Sequence, residues 1–215
     1  MVNKSELEEH HFGEDGWDCI NHDGKIFNLK NMFAGFAPGT LPWQLPEDAG
    51  FFLGTDTALV ASIHYNEHPD HVDPVDETKF DFHIRSEVEN VLQMVTPTHE
   101  SFTIPAGATG YAPIFTVGPL VRDWSTIYNI LPHMHFLGRG FDVRVQHANG
   151  EETCVATGDF DFDNQVGYQL TEPVRLADDD TLLLSCVWDN PGENAVEWGQ
   201  STDEEMCIFF TIVGD

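Results

Sequence analysis

The chain has 215 residues, with 37 Asp and Glu against 9 Lys and Arg, for a formal net charge of −28. A nucleic-acid binder needs a basic face to displace counterions from phosphates, and an anionic lipid surface repels a chain this acidic, so both partners are excluded. Disorder is excluded too, because 41% of the residues are hydrophobic and 16 Phe, 5 Trp and 4 Tyr suffice for a core.

In chain order, the first twelve residues hold no apolar stretch of the kind a signal peptide needs, and no run approaches the roughly 18 apolar residues of a membrane span. His10-His11 comes next. Adjacent strand residues point to opposite faces, so this pair can share one metal ion only where the backbone twists; otherwise it is a solvated pair. Ala58–His64 is an apolar run ending in Ile63-His-Tyr-Asn66, and it reads as a strand. His68 and His71 follow in a loop rich in Pro and Asp and read as surface residues. Lys79–Ile84 alternates polar and apolar residues and reads as a second strand. Thr96-Pro97-Thr98 marks a boundary between pieces 1–95 and 96–215.

The second piece carries the stronger strand signals. Pro105-Ala-Gly107, Asn149-Gly150 and Asn190-Pro191-Gly192 are turn signals that bound the apolar runs Phe141–Val145, Thr181–Trp188 and Met206–Val213. The pattern predicts an all-β chain of antiparallel β-sandwiches, jelly-roll-like, with a first piece that has few strands before residue 50. After Ile127–Leu131 stands His133-Met134-His135. Residues i and i+2 of a strand share a face, so two imidazoles there can reach one copper, zinc, nickel or iron ion, or can simply pack on the sandwich. Met206 is either core filler or a soft thioether ligand that favours Cu(I). Cys186 and Cys207 lie on predicted strands and could be bridged, while Cys19 and Cys154 have no evident partner.

The order of these groups resembles the copper type II, ascorbate-dependent monooxygenases, the family of peptidylglycine α-hydroxylating monooxygenase and dopamine β-monooxygenase. The segments that carry the likeness are His133-Met-His-Phe-Leu-Gly-Arg139, Gln165-Val-Gly-Tyr168, Glu172-Pro-Val174, Asp180–Cys186 and Gly199–Cys207. More loosely, His10-His11, Trp17-Asp-Cys19, Phe36-Ala-Pro-Gly39, Leu45–Gly50 and Ile63-His-Tyr-Asn66 follow the family's first domain. The resemblance implies two copper ions: a catalytic one on His133, His135 and Met206, and an electron-transferring one on His10, His11 and His64. It also implies a Cys186–Cys207 disulfide, ascorbate as reductant, O2 as co-substrate and an extracellular or periplasmic location.

Three departures shape that reading. The family has several strands before its paired histidines, whereas nine residues precede His10, so the first sandwich reads as truncated. Phe12-Gly-Glu-Asp follows His11 in place of Met and an apolar strand. Where the peptide hydroxylase holds a substrate carboxylate with Arg, Asn and Tyr, this chain has Leu131, Ile208 and Phe210. A carboxylate buried there would lack a counter-charge, so the implied substrate is a small or peptide-like molecule without a recognised carboxylate. The other readings are a non-catalytic copper-binding sandwich derived from the family, and a zinc hydrolase, for which Met206 is the wrong third ligand.

Dispersed acids with few lysines read as a surface adapted to high salt, where screening removes self-repulsion. The thermal midpoint is then expected to rise by several degrees between about 10 mM and 1 M NaCl, as the Debye length falls from about 30 to 3 Å. Calorimetry in the two buffers checks this, and equal midpoints would refute it.

Overall fold

A computed structural model describes residues 2–5, 32–37, 39–63, 77–118 and 126–214. Its strands, in chain order, are β1 (Val2–Asn3), β2 (Ala49–Phe51), β3 (Thr57–Ala58), β4 (Asn90–Val95), β5 (Thr103–Ile104), β6 (Ile114–Val117) and β7 (Thr126–His133). There follow β8 (Gly138–Gln146), β9 (Glu152–Asp159), β10 (Tyr168–Arg175), β11 (Thr181–Trp188), β12 (Val196–Glu197) and β13 (Ile208–Gly214). Five strands form one sheet in the order β10-β7-β13-β4-β2, and four form a second in the order β6-β11-β8-β9. All their pairings are antiparallel except β2 with β4, which is parallel. No helix among the described residues is long and apolar enough to cross a membrane.

The two sheets pack face to face because their strands alternate. Leu182, Leu184, Cys186 and Trp188 of β11 and Phe141, Val143 and Val145 of β8 turn inward to meet Ile127 and Ile130 of β7 and Phe209 of β13. Trp188 is fully buried, its ring centroid 4.6 Å from that of Phe102, and Phe141 stands 6.3 Å from Phe209 across the gap between the sheets. Rings at such separations contribute beyond their buried area. The predicted disulfide is present: Cys186 of β11 is bonded to Cys207, just before β13, with Cα atoms 5.9 Å apart. It joins the two sheets covalently at the end where β13 begins. Cys154 is free and exposed.

The outer face of the five-stranded sheet is also apolar. Ile212 and Leu92 are covered by Trp43, Leu45 and Phe51, so the first piece lies against the second. Thr40 Oγ1 donates to the carbonyl of Gln165 at 3.1 Å. Gly39 has φ of 89°, and a Cβ there would stand 2.0 Å from Asn164 Oδ1, so the turn can approach that loop only as glycine.

The first piece departs from its strand predictions. Of the predicted Ala58–His64 strand, only Ala58 is in a strand, the short β3 paired with β1; residues 59–63 are not, and His64 lies outside the described residues. Lys79–Ile84 is not a strand: Phe80, Phe82 and Ile84 are exposed, and the segment has no ladder partner among the described residues. A strand is held by inter-strand hydrogen bonds, so alternation without a neighbour does not suffice. Among the described residues the expected first sandwich amounts to the β1/β3 pair, while β2 and β4, which precede the expected boundary, are strands of the larger sheet.

Pro132 lies within β7, opposite Phe209. Phe209 donates its N–H to Pro97, away from β7, so 132/209 is a non-hydrogen-bonded pair, and the nitrogen of Pro132 faces the β10 side. There the β10 ladder has already ended, at Tyr168 opposite Ile130. No donor is missed.

The disulfide spans a sequence separation of 21 residues. Loop-closure entropy predicts that reducing it costs about 3 kcal/mol. Urea unfolding with and without reductant checks the figure, with a lower midpoint expected in the reduced protein.

Candidate metal centre

His133 closes β7, and His135 lies in the turn by which the chain leaves the five-stranded sheet for β8 of the other. The turn is closed by the Gly138 N–H donating to the His135 carbonyl at 3.1 Å. A Cβ on Gly138 would stand 2.8 Å from both Met134 Cβ and Phe160 Cδ1, so only glycine lets Met134 pack inward beneath the turn. With Met134 fully buried, His133 and His135 turn to the opposite face. Their ring centroids are 5.5 Å apart and the planes nearly perpendicular, at 86°.

Each ring is fixed through the same nitrogen. His135 Nδ1 lies 3.0 Å from the carbonyl oxygen of Glu204, which can only accept, so Nδ1 carries the proton and Nε2 the lone pair. His133 Nδ1 lies 2.8 Å from Gln165 Oε1. The Gln165 amide is itself oriented, since its Nε2 donates to the Phe162 carbonyl at 3.2 Å. His133 therefore also donates from Nδ1 and keeps Nε2 free. Metal-ligating histidines show this arrangement, in which one ring nitrogen donates to an acceptor and leaves the other free. Burial holds the His133 pKa below its ordinary 6.5, against the raising effect of Gln165 and with a further lowering by neighbouring His135. A neutral imidazole is the form that binds metal.

The third candidate, Met206, is half-buried between two anchored neighbours, Glu205 and disulfide-bonded Cys207. The Glu205 carboxyl group is buried and accepts from the backbone N–H of His135 at 2.9 Å, that of Leu137 at 2.6 Å and the Trp188 indole at 3.0 Å. These bonds draw the Met206 segment to the histidine turn. The surround is aromatic: Phe210 stands 6.1 Å from His133, and Phe162 meets His135 edge-on at 6.1 Å and packs on Phe136 at 4.4 Å. Among the described residues, no three His, Cys, Asp or Glu side chains gather into a metal cage. A set of two imidazoles and one thioether is not of that kind.

The sequence pattern of the copper type II ascorbate-dependent monooxygenase C-terminal domain matches residues 89–213. The chain belongs to this family. DBH-like monooxygenase protein 2 of Mus musculus is 27% identical over 215 residues, 90% of this chain and 34% of that protein. Putative DBH-like monooxygenase protein 2 of Homo sapiens is 26% identical, covering 90% of this chain and 42% of its own length. Tyramine beta-hydroxylase of Caenorhabditis briggsae is 24% identical, covering 86% and 34%. The chain thus spans between about a third and two-fifths of these relatives.

The residues present fit the family's copper. Two imidazoles presenting Nε2, with Met206 next in the chain to the Glu205 that holds the histidine turn, would make a soft donor set suited to a metal that cycles through Cu(I). Of the residues expected to meet substrate, Phe210 is half-buried beside His133, whereas Leu131 and Ile208 are buried. His10, His11 and His64 lie outside the described residues. Of the remaining histidines, His99 stacks on Phe115 at 4.8 Å, and His147 bonds Asp180 and Thr153.

Four residues of the site carried no sequence signal of their role: Gln165, Glu204, Glu205 and Phe162. Gln165, Glu204 and Glu205 fall inside the family segments, but nothing in their spacing singles them out. Gln165→Ala is expected to weaken copper binding at the His133/His135 site about 10- to 100-fold, the usual effect of removing such an orienting partner. Competition titration against a copper chelator checks this.

Proposed function

We propose that the chain hydroxylates a C–H bond of an apolar or weakly polar organic substrate, using O2 and a reductant such as ascorbate. In this reading His133, His135 and Met206 hold the copper beside which the substrate lies, and residues 96–215 form the domain that carries it. His10, His11 and His64, in residues 1–95, hold a second copper that delivers an electron. The pair of Nδ1–H bonds, to Gln165 and to the Glu204 carbonyl, carries the reading, because both leave Nε2 as a free donor.

Copper bound there supplies one-electron reduction of dioxygen, with the soft sulfur favouring the reduced state. The chain's own residues orient and exclude. Gln165 and the Glu204 carbonyl lock the imidazole planes. Phe136, Phe162 and Phe210 give the surround an aromatic wall, with Leu131 and Ile208 behind it, and none of these five can pair with a carboxylate. A substrate that buries apolar surface there is favoured, whereas a charged one loses its hydration without return. The Cys186–Cys207 bridge supports an oxidising compartment, extracellular or periplasmic.

Copper titration with ascorbate-dependent oxygen uptake tests the proposal. Two ions per chain and uptake with neutral aryl or alkyl substrates are expected. His133→Ala and Met206→Ala should each abolish uptake, and His133→Ala should weaken copper binding by more than about 100-fold, beyond the loss of an orienting partner. Uptake that survives both changes would refute the site. One ion without uptake would favour the non-catalytic copper-binding reading, and turnover of carboxylate-bearing peptides alone would refute the substrate class.

A further inference from the structure

Among the site's side chains, Glu205 is the one whose chemistry is least explained by packing. It is 1% exposed in the interior of the sandwich, and none of its three hydrogen-bond partners is a cation. Burying a carboxyl group costs free energy that only well-placed donors recover, and Glu205 has them on both oxygens. Oε2 takes the His135 N–H and the Trp188 indole N–H; Oε1 takes the Leu137 N–H. Its own backbone is fixed as well, donating to the Glu197 carbonyl at 3.0 Å and accepting from the Gly199 N–H at 3.1 Å. The side chain therefore joins three separate pieces of chain: the β7–β8 turn, the end of β11 and the approach to β13.

From this geometry we infer that Glu205 is the positioning residue of the copper centre, fixing the separation of His135 from Met206. The inference rests on the assignment of copper to His133, His135 and Met206. One of the two segments is held through its peptide N–H groups, at His135 and Leu137. The other is held because Met206 is the next residue along from the carboxyl-bearing one. Movement of Glu205 would carry Met206 with it and release the turn on which His135 sits. Glutamine cannot replace it: one amide oxygen can serve two of the donors, but the amide nitrogen then faces the third donor without an acceptor.

The test uses the full chain loaded with Cu(II) and follows the part of the electron paramagnetic resonance signal that His133→Ala abolishes. Glu205→Gln is expected to keep its circular dichroism spectrum and disulfide, to change the copper hyperfine coupling and to weaken binding about 10- to 100-fold. Trp188→Phe removes the indole donor and part of the buried ring but leaves both backbone donors on Glu205, so it is expected to lower the thermal midpoint while the copper signal stays as in the wild type. If Glu205→Gln does not fold, Glu205→Asp, which draws the carboxyl back by one methylene, is expected to show the same change of signal. A folded Glu205→Gln or Glu205→Asp protein with wild-type affinity and hyperfine coupling would overturn the positioning role. If His133→Ala abolishes no part of the signal, the copper assignment itself fails, and the role of Glu205 falls with it.

Discussion

The structure depends on how two packed sheets are tied at one end of the sandwich. Sheets that meet only through side chains are held by non-directional burial, which sets a spacing but not a register between them. Here direction is supplied by three hydrogen bonds from two segments to one carboxyl group on a third, and a disulfide from β11 to the start of β13 lies two residues away. Trp188 takes part in both kinds of contact, packing its ring on Phe102 and offering its N–H to Glu205. This tied end of the sandwich is also where the histidine turn and the segment carrying Met206 meet. A metal centre built on such a frame needs little rearrangement to take its ion, which is what a preorganised site requires.

The rest of the site is borrowed from farther away in the sequence. Gln165 reaches His133 from the loop between β9 and β10, and that loop is in turn held by Thr40 and by the close approach of Gly39. The first piece, irregular as its described residues are, thus reaches one partner of the histidine pair. The linkage gives a physical route by which the two pieces of chain share one site, independent of whatever the first piece binds itself.

How much of this was legible in the sequence depended on whether a residue's role was local. Thr181–Trp188 was readable to its ends because its own apolar run states that it is a buried strand, and Phe141–Val145 likewise marked the middle of β8. The His-x-His spacing and Met206 stood out as candidates because few residue types offer soft or neutral metal donors. Lys79–Ile84 has the same kind of alternation but no ladder partner among the described residues, and pairing is a property of two segments that neither segment spells out. Glu205 was hidden for a different reason. It is one acid of 37 in a chain whose surface is made of acids, and nothing in its neighbours says that this one faces inward. Cys186 and Cys207 were visible as candidates, while the choice of partner came from the family likeness and then from the coordinates.

The early end of the β10 ladder has a consequence for the stretch of β7 beside His133. An unpaired stretch of sheet is ordinarily a template for another strand, and exposed edges drive edge-to-edge association. Pro132 turns its nitrogen to that side and has no hydrogen to offer, so an incoming backbone would find no donor at that step. One buried imino acid thus ends the ladder on that side without leaving a backbone donor unpaired.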